Sequence, residues 1–322
     1  MAGEYRGHVL AQQADLPAVS VRDQPSPPVH RAQDISPKNV STSSSVHWFS
    51  ASLPDEHPCL LTGITFVSGD IVACDNENKT LKRFDINGKF LEELFLHDPC
   101  GICTLPNSSE VAVTEPDIKQ ITVCSLDASL EISFELKTKK KYECVSSYQD
   151  KYVAGCCELG SASVDFIDGN GTVLRSILGN VDGKLIFRNP SAIACLPSGD
   201  LLISDPGSCA LVCVSQNNNT KFKIEPGGRP SGVCSDLNGG IYMAQYDSNL
   251  VLRLSSGGNI EGVVVDEKFK LTSPLAMTYD LNQLAITEET PSDRILILKL
   301  PSKPTKDADQ GMSLTNLRVS TL

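Results

Sequence analysis

No run of the roughly 18 to 20 apolar residues that spans a bilayer occurs in the 322-residue chain. Residues 1–19 hold no apolar core of the length that a secretory leader carries. These two absences point to a soluble, cytoplasmic protein. A positive charge excess is missing too: the net charge is −11. That argues against a DNA-binding chain and leaves room only for a local basic patch. The motifs of several enzyme classes are absent. There is no GxSxG nucleophile elbow and no GxxxxGK[ST] phosphate loop. Histidine is scarce, with five in the chain. The one CxxC pair, Cys100 and Cys103, has no second CxxC to complete a zinc site. It also lacks the βαβ setting of a redox pair.

Cysteine itself is plentiful, with twelve. In a chain this long without a leader they read as free thiols. Cys74, Cys124, Cys195 and Cys213 lie inside apolar runs, and the adjacent Cys156 and Cys157 read as strand residues, where cysteine behaves as a small hydrophobe. The apolar fraction of 40% suffices for a sizeable core, and 23 Gly and 19 Pro suit many short strands joined by turns.

An internal repeat organises the middle of the chain. Each unit opens on a small residue and an apolar run, turns, and continues with a tight apolar stretch that usually ends in an acid. TGITFVSGDIVACD, CGICTLPNSSEVAVTE, SAIACLPSGDLLISD, SGVCSDLNGGIYMAQ and LAMTYDLNQLAITE follow this plan, and ECVSSYQDKYVAGCCE follows it weakly. The openers are Gly63, Gly101, Cys144, Ala192, Gly232 and Ala276, separated by 38, 43, 48, 40 and 44 residues. The apolar stretches are short and rich in Val and Ile, and SGD, PSGD and LNGG turns bound them. They therefore read as strands rather than paired helices. LKRFD and LVLRLS supply third strands; GKFLEELFL and GTVLRSIL supply fourth ones. A period of 40 to 45 residues with four strands per unit is that of a propeller blade.

The last unit has strands near 274–279, 283–288 and 294–300 and then turns polar, one strand short. An orphan strand, Val46 to Leu53, carries the only tryptophan and precedes unit one. Added to the last unit it would close the ring and remove its open edges. The expectation is an all-β, six-bladed β-propeller over residues 46–302, closed by an N-terminal strand. Disordered tails are expected over 1–45 and 303–322, where SPPVHR and STSSS offer too little apolar surface to offset the entropy of ordering.

The residues resemble NHL repeats. Residues 63–90 match that pattern through Gly63, Ile64, Gly69, Asp70, Ile71, Val72, Asp75, Asn78, Arg83, Phe84, Asp85, Gly88 and Lys89. Residues 189–205 match its first half through Pro190, Ala192, Gly199, Leu202 and Asp205. The resemblance covers about residues 46–300 and extends to the C-terminal propellers of tripartite-motif ubiquitin ligases. In that family a RING, B-boxes and a coiled coil precede the propeller. No cysteine–histidine array precedes the blades here, so the resemblance implies a partner-selecting module and not a ligase.

Two charged constellations belong on one face. Asp75, Glu115, Asp205 and Glu288 end second strands, with Glu158 nearby in unit three and Gln245 then Asp247 in unit five. They should ring the channel mouth, and either each acid closes its own turn by accepting nearby backbone N–H groups, or together they hold Ca²⁺, as in gluconolactonase-like propellers. The first reading is preferred. His57 and His97 fall at blade junctions, which leaves no histidine set for zinc. Basic residues occupy the junctions: KTKKK (Lys137 to Lys141, with Lys139, Lys140 and Lys141 its core), Lys184, Arg188, Arg229, Lys268 and Lys270. They make a rim either for a protein partner or for single-stranded RNA, for which Tyr142 and Tyr246 are the nearest stacking platforms. The leading expectation is a non-catalytic protein-interaction scaffold, tied to a ubiquitin-ligase-related pathway. It binds through Lys139, Lys140, Lys141, Arg188, Arg229, Tyr246, Asp247 and Lys270, and needs no cofactor. RNA binding and a Ca²⁺-dependent lactonase using the four acids are the alternatives.

Overall fold

A computed structural model describes residues 29–31, 46–158, 160–181, 183–289 and 293–301. Among them there is no α-helix, only strands and three short 3-10 turns. No helix is long and apolar enough to cross a membrane.

The strands form six antiparallel four-stranded blades. Blade I comprises Leu61–Val67, Asp70–Asp75, Thr80–Phe84 and Phe90–Phe95. Blade II comprises Ile102–Thr104, Glu110–Glu115, Gln120–Ser125 and Glu131–Lys137. Blade III comprises Cys144–Tyr148, Lys151–Cys156, Ser163–Ile167 and Val173–Leu178. Blade IV comprises Ala192–Cys195, Leu201–Asp205, Ala210–Val214 and Thr220–Glu225. Blade V comprises Pro230–Ser235, Ile241–Gln245, Leu250–Leu254 and Ile260–Val265. Blade VI comprises Pro274–Asp280, Gln283–Glu288 and Arg294–Lys299, with Val46–Ser50 as its outermost strand. That last pairing sets Val46 opposite Leu298 and Ser50 opposite Arg294. The orphan strand thus closes the ring as the unit count requires.

The alternation of side chains along each strand explains why the runs are apolar throughout rather than on alternate positions. Each blade is buried on both faces. Ile71 and Ala73 pack toward blade VI, against Ala285, Ile295 and Ile297. Their neighbours Val72 and Cys74 pack toward blade II, against Val111, Val113 and Cys124. One apolar cluster fills each of the six gaps between blades. Strands buried on two sides read as continuous hydrophobic runs.

The small openers have a packing cause. First strands line the narrow channel, and neighbouring ones nearly touch. A Cβ on Gly101 would lie 2.6 Å from Cys144 Cα, and one on Gly232 would lie 2.7 Å from Met277 N. Backbone cannot yield as a side-chain tip does. Gly101→Val is therefore expected to cost about 3 kcal/mol, at the upper end of overpacking effects. Chemical denaturation of the variant beside the wild type measures it, and an unchanged midpoint would show that the blades can part at no cost.

One strand falls where a tail was expected. Val29–Arg31 pairs in parallel with the outer edge of blade IV, with Val29 opposite Lys223 and Arg31 opposite Glu225. The rest of the expected tails, 1–28, 32–45 and 303–322, lies outside the described residues.

Candidate active site at the channel mouth

The residue after each opener points down the channel. Ile64, Ile102, Val145, Ile193, Val233 and Met277 line both a cavity of about 320 Å³ on the face of the blade-to-blade connections and a second of about 460 Å³ at the other end. These six side chains form an apolar waist, contributed once per blade. The residues before five of the six openers belong to the first cavity. Thr62, Glu143, Ser191, Ser231 and Leu275 line it, and Arg229, Tyr246, Pro206 and Glu289 complete its wall. Cys100 holds the sixth equivalent position. Glu143 is the one charged residue among the six.

Glu143 is half-buried. Its Oε2 accepts a hydrogen bond of 3.7 Å from the Cys100 thiol. Burial pushes its carboxyl above the usual glutamate range and Asp98 adds to this, while the Cys100 thiol and Lys141 pull the other way. A carboxyl raised in this manner keeps its proton closer to neutral pH, as a general acid must. Two further thiols sit nearby: Cys144 and Cys157 both donate to the Pro190 carbonyl, at 3.1 and 3.4 Å. Burial pushes both thiols up, so neither is a ready thiolate. On the facing wall Arg229 lies over the Tyr246 ring, 4.4 Å from its centroid, and pairs with Asp247 at 3.0 Å. An exposed arginine lying over an aromatic ring at a cavity wall suits a carboxylate or another anion.

The four acids do not ring this mouth. Asp75, Glu115, Asp205 and Glu288 are 0 to 1% exposed, and none lines the cavity. Each is occupied by the connection of its own blade. Asp75 accepts from Leu60 N at 3.0 Å, Glu115 from His97 N at 2.6 Å, and Asp205 from Arg188 N and Asn189 N at 3.0 and 2.8 Å. Glu288 accepts from Thr272 N and pairs with Arg294 at 3.0 Å. They lock the incoming chain to the blade it has reached. The four acids are not gathered into a metal-holding cluster and their oxygens are engaged by the chain, so the set does not fit the alternative of a calcium site. The closest approach to a metal cluster among the described residues is Glu56, Cys59 and Asp75, with donor atoms within 4.8 Å of one another. The ammonium of Lys82 already stands among them, at 2.6 Å from Glu56 and 2.8 Å from Asp75.

Blade III carries its acid elsewhere. Glu158 is exposed, and Asp165 on the third strand takes over, accepting from Tyr142 Oη at 2.7 Å and Lys140 Nζ at 2.8 Å. Tyr142 is 1% exposed and is not a stacking platform. The basic rim is likewise partly spent: Lys140 turns inward to Asp165, and Lys141 pairs with Asp117 at 2.8 Å. Lys139, Arg188 and Lys270 remain exposed. Of the eight residues expected to bind a partner, only Arg229, Tyr246 and Asp247 are drawn into one group.

No protein-family model matches the chain, and no curated protein matches it. Solved structures do. Virginiamycin B lyase from Staphylococcus aureus is 13% identical with a TM-score of 0.59, over 80% of this chain and all of that one. A gluconolactonase from Xanthomonas campestris is 16% identical with a TM-score of 0.62, over 86% of this chain and 99% of that one. A propeller from a nidogen/laminin complex is 16% identical with a TM-score of 0.56, over 69% of this chain and 85% of that one. The likeness confirms the six-bladed propeller; the NHL resemblance is not carried further by any match. It also corrects the expectation that the chain is no enzyme. That expectation rested on the lack of a coherent catalytic set in the sequence, and a lyase and a lactonase are built on the same fold.

Proposed function

We propose that the chain is an enzyme of the lyase or lactone-hydrolase kind, taking a small anionic substrate in the mouth cavity. Glu143 carries the proton and Arg229 holds the substrate's negative charge. The observation behind this reading is Glu143 itself: one charged residue in a ring of six otherwise uncharged positions, aimed into the cavity, with its carboxyl raised by burial. Opening a lactone breaks a C–O bond and leaves an alkoxide that must gain a proton. The protonated Glu143 donates it, and the resulting carboxylate recovers a proton from the attacking water. The apolar waist below keeps the substrate at the mouth.

The test is a panel of lactones and cyclic esters assayed with the wild type and Glu143→Gln. Turnover by the wild type is expected, with kcat reduced at least about 100-fold in the variant and KM changed little, as for a lost general acid. The acid form is the active one, so kcat should fall as pH rises through the raised pKa of Glu143. Equal kcat in the two proteins would sink the assignment.

A second reading keeps the mouth as a recognition surface for a protein, possessing the exposed group of Arg229, Tyr246 and Asp247 as its anchor. Single-stranded RNA suits the site less, since Lys140 and Lys141 are paired and Tyr142 is buried. Twelve free thiols accord with a reducing, cytoplasmic setting.

A further inference from the structure

The outer strands of the six blades form the rim of the ring. The second residue of the outer strand is Leu91, Ile132 and Leu174 in blades I to III, exposed by 41, 43 and 45%. In blades IV, V and VI the second residue of the outer strand is Lys221, Glu261 and His47. Phe95, Phe134 and Leu178 extend the apolar arc, with Phe95 73% exposed. Among the described outer strands, Val46 on blade VI, 37% exposed, is the one comparably exposed large apolar side chain outside blades I to III. Scattered exposed hydrophobes need no explanation, but an arc of six on three adjacent blades marks an interaction site.

Blade II is the centre of this arc and its barest edge. The first five residues of Glu131–Lys137 are all exposed. Among the described residues no strand pairs with its outer side. A bulge at Ser133 sets Ile132 opposite Cys124 and Phe134 opposite Val123. Cys124 packs toward blade I and Val123 toward blade III, so the edge presents an apolar side chain on each flank.

We infer that this edge accepts an extended segment of a protein partner as a fifth strand, and that the segment combines apolar and basic residues. The chain supplies the geometric precedent. Val29–Arg31 already adds a fifth strand to blade IV, in parallel, and sets Arg31 opposite Glu225. The charge follows from the edge: Glu131 and Glu135 of this strand, and Glu93 of the neighbouring blade I, are exposed beside the apolar side chains. Main-chain hydrogen bonds supply affinity in such strand addition, and the flanking side chains supply selectivity.

The experiment selects displayed random dodecapeptides on the full-length chain and synthesises the most enriched one as the probe. That peptide should combine β-branched and basic residues, and should slow amide exchange in Glu131–Lys137 at least tenfold. Ile132→Lys and Phe134→Lys, both surface changes, should each weaken it at least tenfold, while Lys221→Ala on blade IV leaves it unchanged. Acidic winners, protection at the channel mouth instead, or binding indifferent to both lysine variants would overturn the inference. So would wild-type dimers in sedimentation that either lysine variant abolishes, because a second copy would then be the occupant.

Discussion

A chain lacking residues 1–51 is expected to be recovered as aggregate, or to unfold well below the full-length protein, whereas removal of residues 1–45 leaves the melting temperature within a few degrees. The short difference holds the closing strand. Trp48 packs with the apolar cluster between blades V and VI, and the Arg294 guanidinium lies 4.3 Å from its ring centroid. Phe49 meets Phe84 of blade I with ring centroids 5.2 Å apart. The fit continues at Gly88, where a Cβ would fall 2.2 Å from Phe49. His47 bonds to the Ile86 carbonyl at 3.1 Å, and Ala51, fully buried, offers its carbonyl to Lys82. The strand therefore completes blade VI and also ties it to blade I. Truncating one large aromatic in a core costs about 3 to 5 kcal/mol, and whole domains are stable by only about 5 to 15 kcal/mol. Losing two aromatics and the edge pairing together consumes most of that margin, and it bares the Arg294–Lys299 strand as an unprotected edge. Phe49→Ala alone should lower the melting temperature by about 10 °C, at roughly 2 to 4 °C per kcal/mol for a domain of this size. Size-exclusion chromatography and thermal unfolding of the two truncations decide the matter. A folded, monomeric 52–322 would mean that the ring closes without its clasp.

That closure was readable because strand count is an arithmetic property of the repeat. Six openers and a last unit one strand short leave a single place for Val46–Ser50. That the second-strand acids are a device recurring once per blade was readable for a similar reason, but their partner was not: a turn of their own was expected, and they hold the incoming connection, whose N–H groups lie 15 to 18 residues earlier in the chain. What else escaped was set by exceptions to the repeat. In blade III the acid moves from the second strand to Asp165 on the third, so Glu158 was placed on the strength of spacing alone. KTKKK reads as a solvated basic run, but Asp165 and Asp117 draw two of its lysines into pairs. The strand Val29–Arg31 is three residues long, too short for any periodicity to show. Glu143 was missed although a signal existed. Aligning the residue before each opener gives Thr62, Cys100, Glu143, Ser191, Ser231 and Leu275, and the one charged residue in that column lines the cavity.

Lys82→Met should be the most damaging single substitution in the molecule, by about 3 to 5 kcal/mol, the range found when one partner of a buried ion pair is removed. Lys82 is fully buried. Its ammonium reaches Glu56, Asp75, the Ala51 carbonyl and, at 3.6 Å, the Cys59 sulfur. It joins the closing strand, the first connection and blade I at one point. Methionine fills the same volume but leaves two carboxylates facing each other in a dry site. Lys82→Met combined with Asp75→Asn should recover much of the loss, since the uncompensated charge goes with its partner; strictly additive costs in that cycle would deny the coupling. The pH dependence has a definite sign. Burial alone pushes the Asp75 carboxyl up, but Lys82, Asn78 and the Leu60 N–H outweigh it and hold the group below its usual value. Its contribution is present above the ordinary value of 3.8 and is lost as pH falls through the lowered one. For Lys82 burial pushes down, and Asp75 and Glu56 outweigh it, raising the ammonium above its ordinary 10.5. Its contribution is complete below that value and is lost as pH rises through the raised one. The stability difference between wild type and Lys82→Met should therefore be flat from about pH 5 to 9 and shrink at both extremes. A difference that peaks at acid pH would show that Asp75 is protonated in the folded protein, and that Lys82 serves only to fill space.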